Sequence, residues 1–121
     1  MITRIDHIQV AAPNGCEAEA RKFYGSILGL TEIEKPAPLR ARGGCWFQCG
    51  DQQLHIGVED AFQPAKKAHP AFAVSDLGKL RESLLGHAVK IIEDDSLPEM
   101  KRFFAEDPWG NRLEFLERNR T

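Results

Sequence analysis

A chain of 121 residues is long enough for one domain with a real core, and its 42% hydrophobic and 28% charged residues argue against disorder. A net charge of −2 gives no basis for electrostatic capture of nucleic acid or an anionic membrane. No apolar run approaches the roughly 20 residues that span a bilayer.

The N-terminal MITRIDHIQVAAP lacks the apolar stretch of a signal peptide and reads directly as a strand, with Ile8 and Val10 on one face and His7 and Gln9 on the other. A helix is predicted from about Cys16 to Leu28: Ala20, Phe23, Ile27 and Leu28 recur at helical spacing, and Gly29 suits the C-terminal cap. Three strands follow, LTEIE, GCWFQC and QQLHIGVE. The first two are separated by the loop KPAPLRARGG and the last two by the tight turn CGD. After a polar linker, DAFQPAKKA, the order restarts. HPAFAVS is a strand, and Ser75 or Asp76 caps a helix carrying Leu77, Leu80 and Leu84. AVKIIED is the next strand, and KRFFAED and NRLEFLE form a hairpin around DPWGN.

Both halves therefore read β-α-β-β-β, the first over about residues 4–59 and the second over about 68–118. His7 and His69 stand 62 positions apart on the opening strands, and His55 and Glu114 stand 59 apart on the closing ones. Strand alternation puts each of these four residues opposite its apolar neighbours. Three imidazoles and a carboxylate at equivalent positions of two related halves form a donor set suited to zinc, nickel, iron or manganese. The small residues Gly57, Ala71 and Ala73 would leave room for a substrate. The fourth histidine, His87, falls near the end of the second helix and reads as structural.

Three cysteines, Cys16, Cys45 and Cys49, are an odd set without a CxxC spacing. On one extended strand Cys45 and Cys49 would lie roughly 13 Å apart, too far to bridge. Buried thiols in a reducing cytoplasm are expected.

The paired β-α-β-β-β order, together with DHIQV, HPAFAV and DPWGNRLEFLE, resembles the vicinal oxygen chelate superfamily of glyoxalases, bleomycin-resistance proteins and extradiol dioxygenases. The resemblance covers residues 4 to 118. It implies an α+β fold, a single glyoxalase-like domain in which the two modules form a cupped, half-open barrel around one divalent metal. His7, His69 and Glu114 match the usual ligand positions. The fourth position, commonly Glu or Gln in glyoxalases, is His55 here. The family chemistry implies a lyase, isomerase or thiol transferase acting on a small substrate through two neighbouring oxygens, with Glu114 also able to shuttle a proton. Metal-free relatives that sequester a drug or metabolite are the alternative, and short two-module members imply a homodimer. Gln9, Trp46, Gln48 and Arg102 are the expected substrate contacts. Arg40 and Arg42 in the proline-rich loop, and Lys66 and Lys67 in the linker, are further cations placed to meet an acid.

Overall fold

Strands that alternate apolar and polar residues bury one face only if something covers it, and each half of this chain supplies its own cover. The computed structural model describes residues 1–118 and divides into two units, Met1–Pro64 and Ala65–Thr121.

In the first unit, β1 (His7–Ala12), β2 (Thr31–Ile33), β3 (Cys45–Cys49) and β4 (Gln52–Val58) form one sheet in the order β1-β4-β3-β2. β1 runs parallel to β4, and the other pairs are antiparallel. The predicted helix is present but changes character. A short α1 (Glu17–Ala20) passes into a π-helical segment, Arg21–Ile27, whose end is marked by the Leu28 N–H donating to the Phe23 carbonyl at 2.9 Å. The wider turn buries two consecutive aromatic residues, Phe23 and Tyr24. Tyr24 meets Phe47 of β3, and Leu54, Ile56, Cys16 and Cys45 fill the remaining space. The segment expected as a loop contains a 3-10 helix, Ala37–Arg42, started by Pro36 and Pro38, whose fixed φ values suit it.

The second unit repeats the arrangement. β5 (Ala71–Ala73), β6 (Ile91–Asp94), β7 (Met100–Glu106) and β8 (Arg112–Arg118) take the order β5-β8-β7-β6, again with the outer first strand parallel to the last. α2 (Leu77–Gly86) starts at Asp76, whose side chain accepts from the Lys79 N–H, as the sequence leads one to expect. Leu77 and Leu84 of α2 are buried, as are the sheet residues Phe103, Leu113 and Phe115. His87 caps α2 and donates through Nδ1 to the Ser83 carbonyl, a structural role.

The turn DPWGN is a buried knot of hydrogen bonds. Asp107 accepts from the backbone N–H groups of Trp109 and Asn111 and from the Asn111 side chain, which in turn accepts from the Ala65 N–H. This stretch therefore does structural work: it closes the β7–β8 hairpin and ties the start of the unit to it.

Candidate functional site

Register decides which side chains share a face. In the first unit Gln9 stands beside His55 across the parallel pair, and Trp46 stands beside His55 across β3–β4. His7, two residues before Gln9, shares its face. The apolar partners Leu54, Ile56, Cys45 and Phe47 point the other way, into the helix-covered core. His7, Gln9, His55, Gly57, Trp46 and Gln48 thus share the face away from the helix.

On that face the rings form a column. Trp46 stacks on His55 with centroids 3.7 Å apart and planes within 3°, and His7 stacks on His55 with centroids 4.2 Å apart and planes at 18°. The His7 Nδ1–H donates to Asp6 at 3.0 Å, and His55 Nε2 is paired with the Gln53 side-chain oxygen at 2.9 Å. Burial holds the His55 imidazole below its ordinary pKa; the His7 and Lys35 charges act in the same direction and Asp6 opposes them. Gly57 admits Gln9, since a Cβ at Gly57 would meet the Gln9 side chain at 2.6 Å. Gln48, expected to contact substrate, instead donates its amide to the Gly50 and Gln52 carbonyls and braces the β3–β4 turn.

The second unit carries an ionic counterpart. Ala71 stands beside Glu114, and His69 lies two residues before Ala71, so His7 and His69 hold equivalent positions, as do His55 and Glu114. His69 Nε2 lies 2.9 Å from Glu114 Oε1, while Arg102 Nη1 donates to Glu114 Oε2 at 3.2 Å. Arg102 also reaches Asp94 and Ser96, and its buried Nε has no hydrogen-bond partner among the described residues. Phe104 lies between two guanidinium groups, Arg102 at 5.3 Å and Arg112 at 4.1 Å from its ring centroid. Glu114 is 7% exposed, so this carboxylate depends on its neighbours for stabilisation.

The chemistry of the donors can be tested against a metal ion. The His69 Nδ1 lies 2.8 Å from the Lys67 carbonyl, which can only accept, so the Nδ1 carries the hydrogen. A neutral His69 then presents a lone pair from Nε2 to the Glu114 carboxylate. Two electron-rich atoms 2.9 Å apart require a positive charge, a proton or a metal ion. Adjacent ligands at about 2.1 Å from one ion stand roughly 3 Å apart, so the pair also fits in distance. The His7 Nδ1 is committed in the same manner to Asp6, leaving Nε2 as its donor atom. His55 Nε2 faces the Gln53 side-chain oxygen, which can only accept, so the His55 lone pair is on Nδ1. The half-exposed His7 has room to turn, so this pair fits by chemistry and needs a rotamer change to converge. Among the described residues no three His, Cys, Asp or Glu side chains gather into a ready cluster.

A profile of the Glyoxalase/Bleomycin resistance protein/Dioxygenase superfamily matches residues 4–115. The chain belongs to that superfamily. A glyoxalase family protein from Bacillus anthracis is 52% identical over 98% of both chains, with a TM-score of 0.95. A glyoxalase/dioxygenase from Nostoc punctiforme superposes at a TM-score of 0.80 and 20% identity, covering 97% of this chain and 92% of that one. A lactoylglutathione lyase from Agrobacterium tumefaciens does so at 0.72 and 21%, covering 96% and 94%; these two likenesses concern the fold alone. A comparison with curated proteins finds no match. The α+β fold of two β-α-β-β-β modules is thus the superfamily's own, and no helix is long and apolar enough to cross a membrane among the described residues.

Sequence reasoning missed the groups that hold these side chains: Asp6, Gln53, Asp94 and Ser96. Only Asp6 left a signal, as the residue preceding His7. Of the four loop and linker cations, Arg40 is paired with Glu34, and Lys66 binds Glu106 and the Gly110 carbonyl.

Proposed function

We propose that this glyoxalase-superfamily chain, taken as one functional domain over residues 1–121, is a metal-dependent enzyme acting on a small substrate with two neighbouring oxygens. His7, His55, His69 and Glu114 would hold one divalent ion. The observation that carries the reading is the His69–Glu114 contact, in which the Nδ1–H bond to Lys67 leaves an Nε2 lone pair against a carboxylate. A bound ion supplies Lewis acidity toward the chelating oxygens. The chain's own groups do the rest. Lys67 orients His69 through its carbonyl, and Arg102 fixes Glu114 through Oε2, so that Oε1, the oxygen facing His69 Nε2, is the one that would meet the ion or take and return a proton. Arg102 would contact a substrate oxygen through a terminal guanidinium nitrogen, beside the carboxylate it holds. Gln9 and Trp46 border the same face in the first unit. The class of reaction is lyase, isomerase or thiol transfer, the protein a cytoplasmic homodimer with its cysteines kept as thiols.

The competing reading is a metal-free binder that sequesters a small molecule. It is favoured by Arg102, which already gives Glu114 a countercharge, and by the closed His7–His55 stack. Elemental mass spectrometry of the purified protein and of His7→Ala, His55→Ala, His69→Ala and Glu114→Ala variants separates the two. Near-stoichiometric metal lost in all four variants is the expected result. Retention in His55→Ala alone reduces the set to three ligands, and no metal after reconstitution overturns the enzyme reading in favour of the binder.

A further inference from the structure

The first unit has a pocket of about 240 Å³ beside the imidazole column, lined by Gln9, Lys35, Leu39, Arg42, Trp46 and Gly57 among others. Its charges are of one sign. Lys35 and Arg42 are cations, and no carboxylate lines it. Of the nearby acids, Glu34 pairs with Arg40, and Glu17, behind Gly43 and outside the lining, accepts from the Gly44 N–H at 2.6 Å. Lys35 donates to the Gly43 carbonyl, which steadies the ammonium at the rim. Arg42 forms no ion pair or side-chain hydrogen bond among the described residues. An unpaired guanidinium fork is shaped for a planar oxyanion, which it can hold through two parallel N–H bonds.

The remaining walls are apolar or aromatic. Leu39 and Val58 line one part, and the Trp46 indole runs from the pocket to its stack on His55, 3.7 Å away. A molecule whose anionic head sits between Lys35 and Arg42 therefore extends along Trp46 toward the imidazoles. The volume lies below the roughly 300–1,000 Å³ of sites for drug-sized ligands. A large antibiotic does not fit it; a small organic acid does.

We propose that this pocket is an oxyanion subsite, in which Arg42 and Lys35 bind the carboxylate of a small organic acid whose apolar or aromatic body lies along Trp46. The proposal deepens the functional reading above by assigning the substrate its charge, and rests on that reading only for what happens at the other end of the molecule. Arg42 is a specificity-determining residue, and Trp46 is the wall that directs the bound acid.

The full chain with Trp109→Phe leaves Trp46 as the only indole, so its fluorescence reports on the pocket. The probes are benzoate and its uncharged analogue benzamide. Saturable quenching by benzoate and not by benzamide is expected. Arg42→Ala should weaken benzoate binding by about tenfold or more, as for a lost charge-assisted hydrogen bond. Arg42 is exposed, so this substitution leaves the fold intact, which circular dichroism and unchanged metal content verify. Equal quenching by benzamide, or benzoate binding that Arg42→Ala does not alter, overturns the subsite. Loss of benzoate binding on chelation or in Glu114→Gln, with Arg42→Ala unaffected, also overturns it, because the acid then binds at the metal. Arg42-dependent benzoate binding in a protein that takes up no metal leaves the subsite standing and removes the metalloenzyme reading instead.

Discussion

The two units share strand order, register and the positions of their candidate ligands, yet they stabilise the polar face by different forces. In the first, His55 lies beside two flat rings, Trp46 and His7, and its neighbours are amides and imidazoles. In the second, the equivalent Glu114 lies between His69 and Arg102, and the charge continues to Asp94. Two differences on the neighbouring strand accompany this, Trp46 in the place of Phe104 and a missing side chain in the place of Arg102. Arg102 stands beside Leu116, and continuing the β3–β4 register one residue beyond Cys45 and Ile56 places Gly44 at the corresponding point of the first unit. Where the second unit has a guanidinium filling the face, the first has no side chain, and the pocket lined by Gly43 opens beside it. At the same register position, then, one repeat carries a guanidinium bound to its carboxylate and the other carries no side chain.

The cores are where the halves should behave alike. Phe47 and Phe103 are both fully buried. Phe47→Ala and Phe103→Ala should each cost about 3–5 kcal/mol in chemical denaturation. A much smaller loss in one would show that its sheet is covered loosely and that the likeness of the two cores is superficial.

Gly44 should be the more selective break. Its φ is +86°, and a Cβ there would lie 2.0 Å from the Ile56 carbonyl oxygen, which is backbone and has little freedom to move. Gly44→Ala should destabilise by more than about 2 kcal/mol through strain and clash together. An unchanged melting temperature would mean that β3 enters the sheet by another path.

The difference in forces is measurable by double-mutant cycles. Coupling between Arg102 and Glu114, from Arg102→Met and Glu114→Gln, should be about 1–3 kcal/mol, since Glu114 is buried and Arg102 largely so. Burial limits screening, so it should shrink only modestly in high salt, through the part of Arg102 that remains exposed. Coupling between Trp46 and His55, from Trp46→Leu and His55→Leu, should be about 0.5–1.5 kcal/mol and insensitive to salt. Equal salt responses would erase the distinction between the units.

The smallest effect concerns the edge of the proposed subsite. The Gly44 N–H, donating to Glu17, holds the Glu17 carboxyl below its usual range. A depressed folded-state pKa adds stability above the unfolded value, and that stability is lost as pH falls through the folded one. Wild type should exceed Glu17→Gln by about 1 kcal/mol at pH 7, and the gap should close below about pH 4. A gap that persists in acid would assign the difference to packing instead of charge.

The reading of ligand positions from the sequence rested on a period of two and on an order of elements that repeats. Both are local properties, and the register bears out the alignment of His7 with His69 and of His55 with Glu114. The helix after β1 was legible as a helix but not as a π-helix, because the widening that buries Phe23 beside Tyr24 depends on contact with β3, far away in sequence. Gln48 had the right alternation for the polar face and was nevertheless recruited by the turn two residues on.

By itself, then, the sequence determined the two-fold module, the faces of its strands and which polar residues hold equivalent positions in the two halves, since these follow from spacing and side-chain chemistry. Tertiary structure alone decided which partners those residues meet. Arg102 reaches Glu114 across a strand pair, Trp46 reaches His55 across another, and Lys35 and Arg42 are brought to one pocket by a 3-10 turn. Such pairings depend on register and loop path, which the long-range packing of the sheets sets and no local pattern encodes.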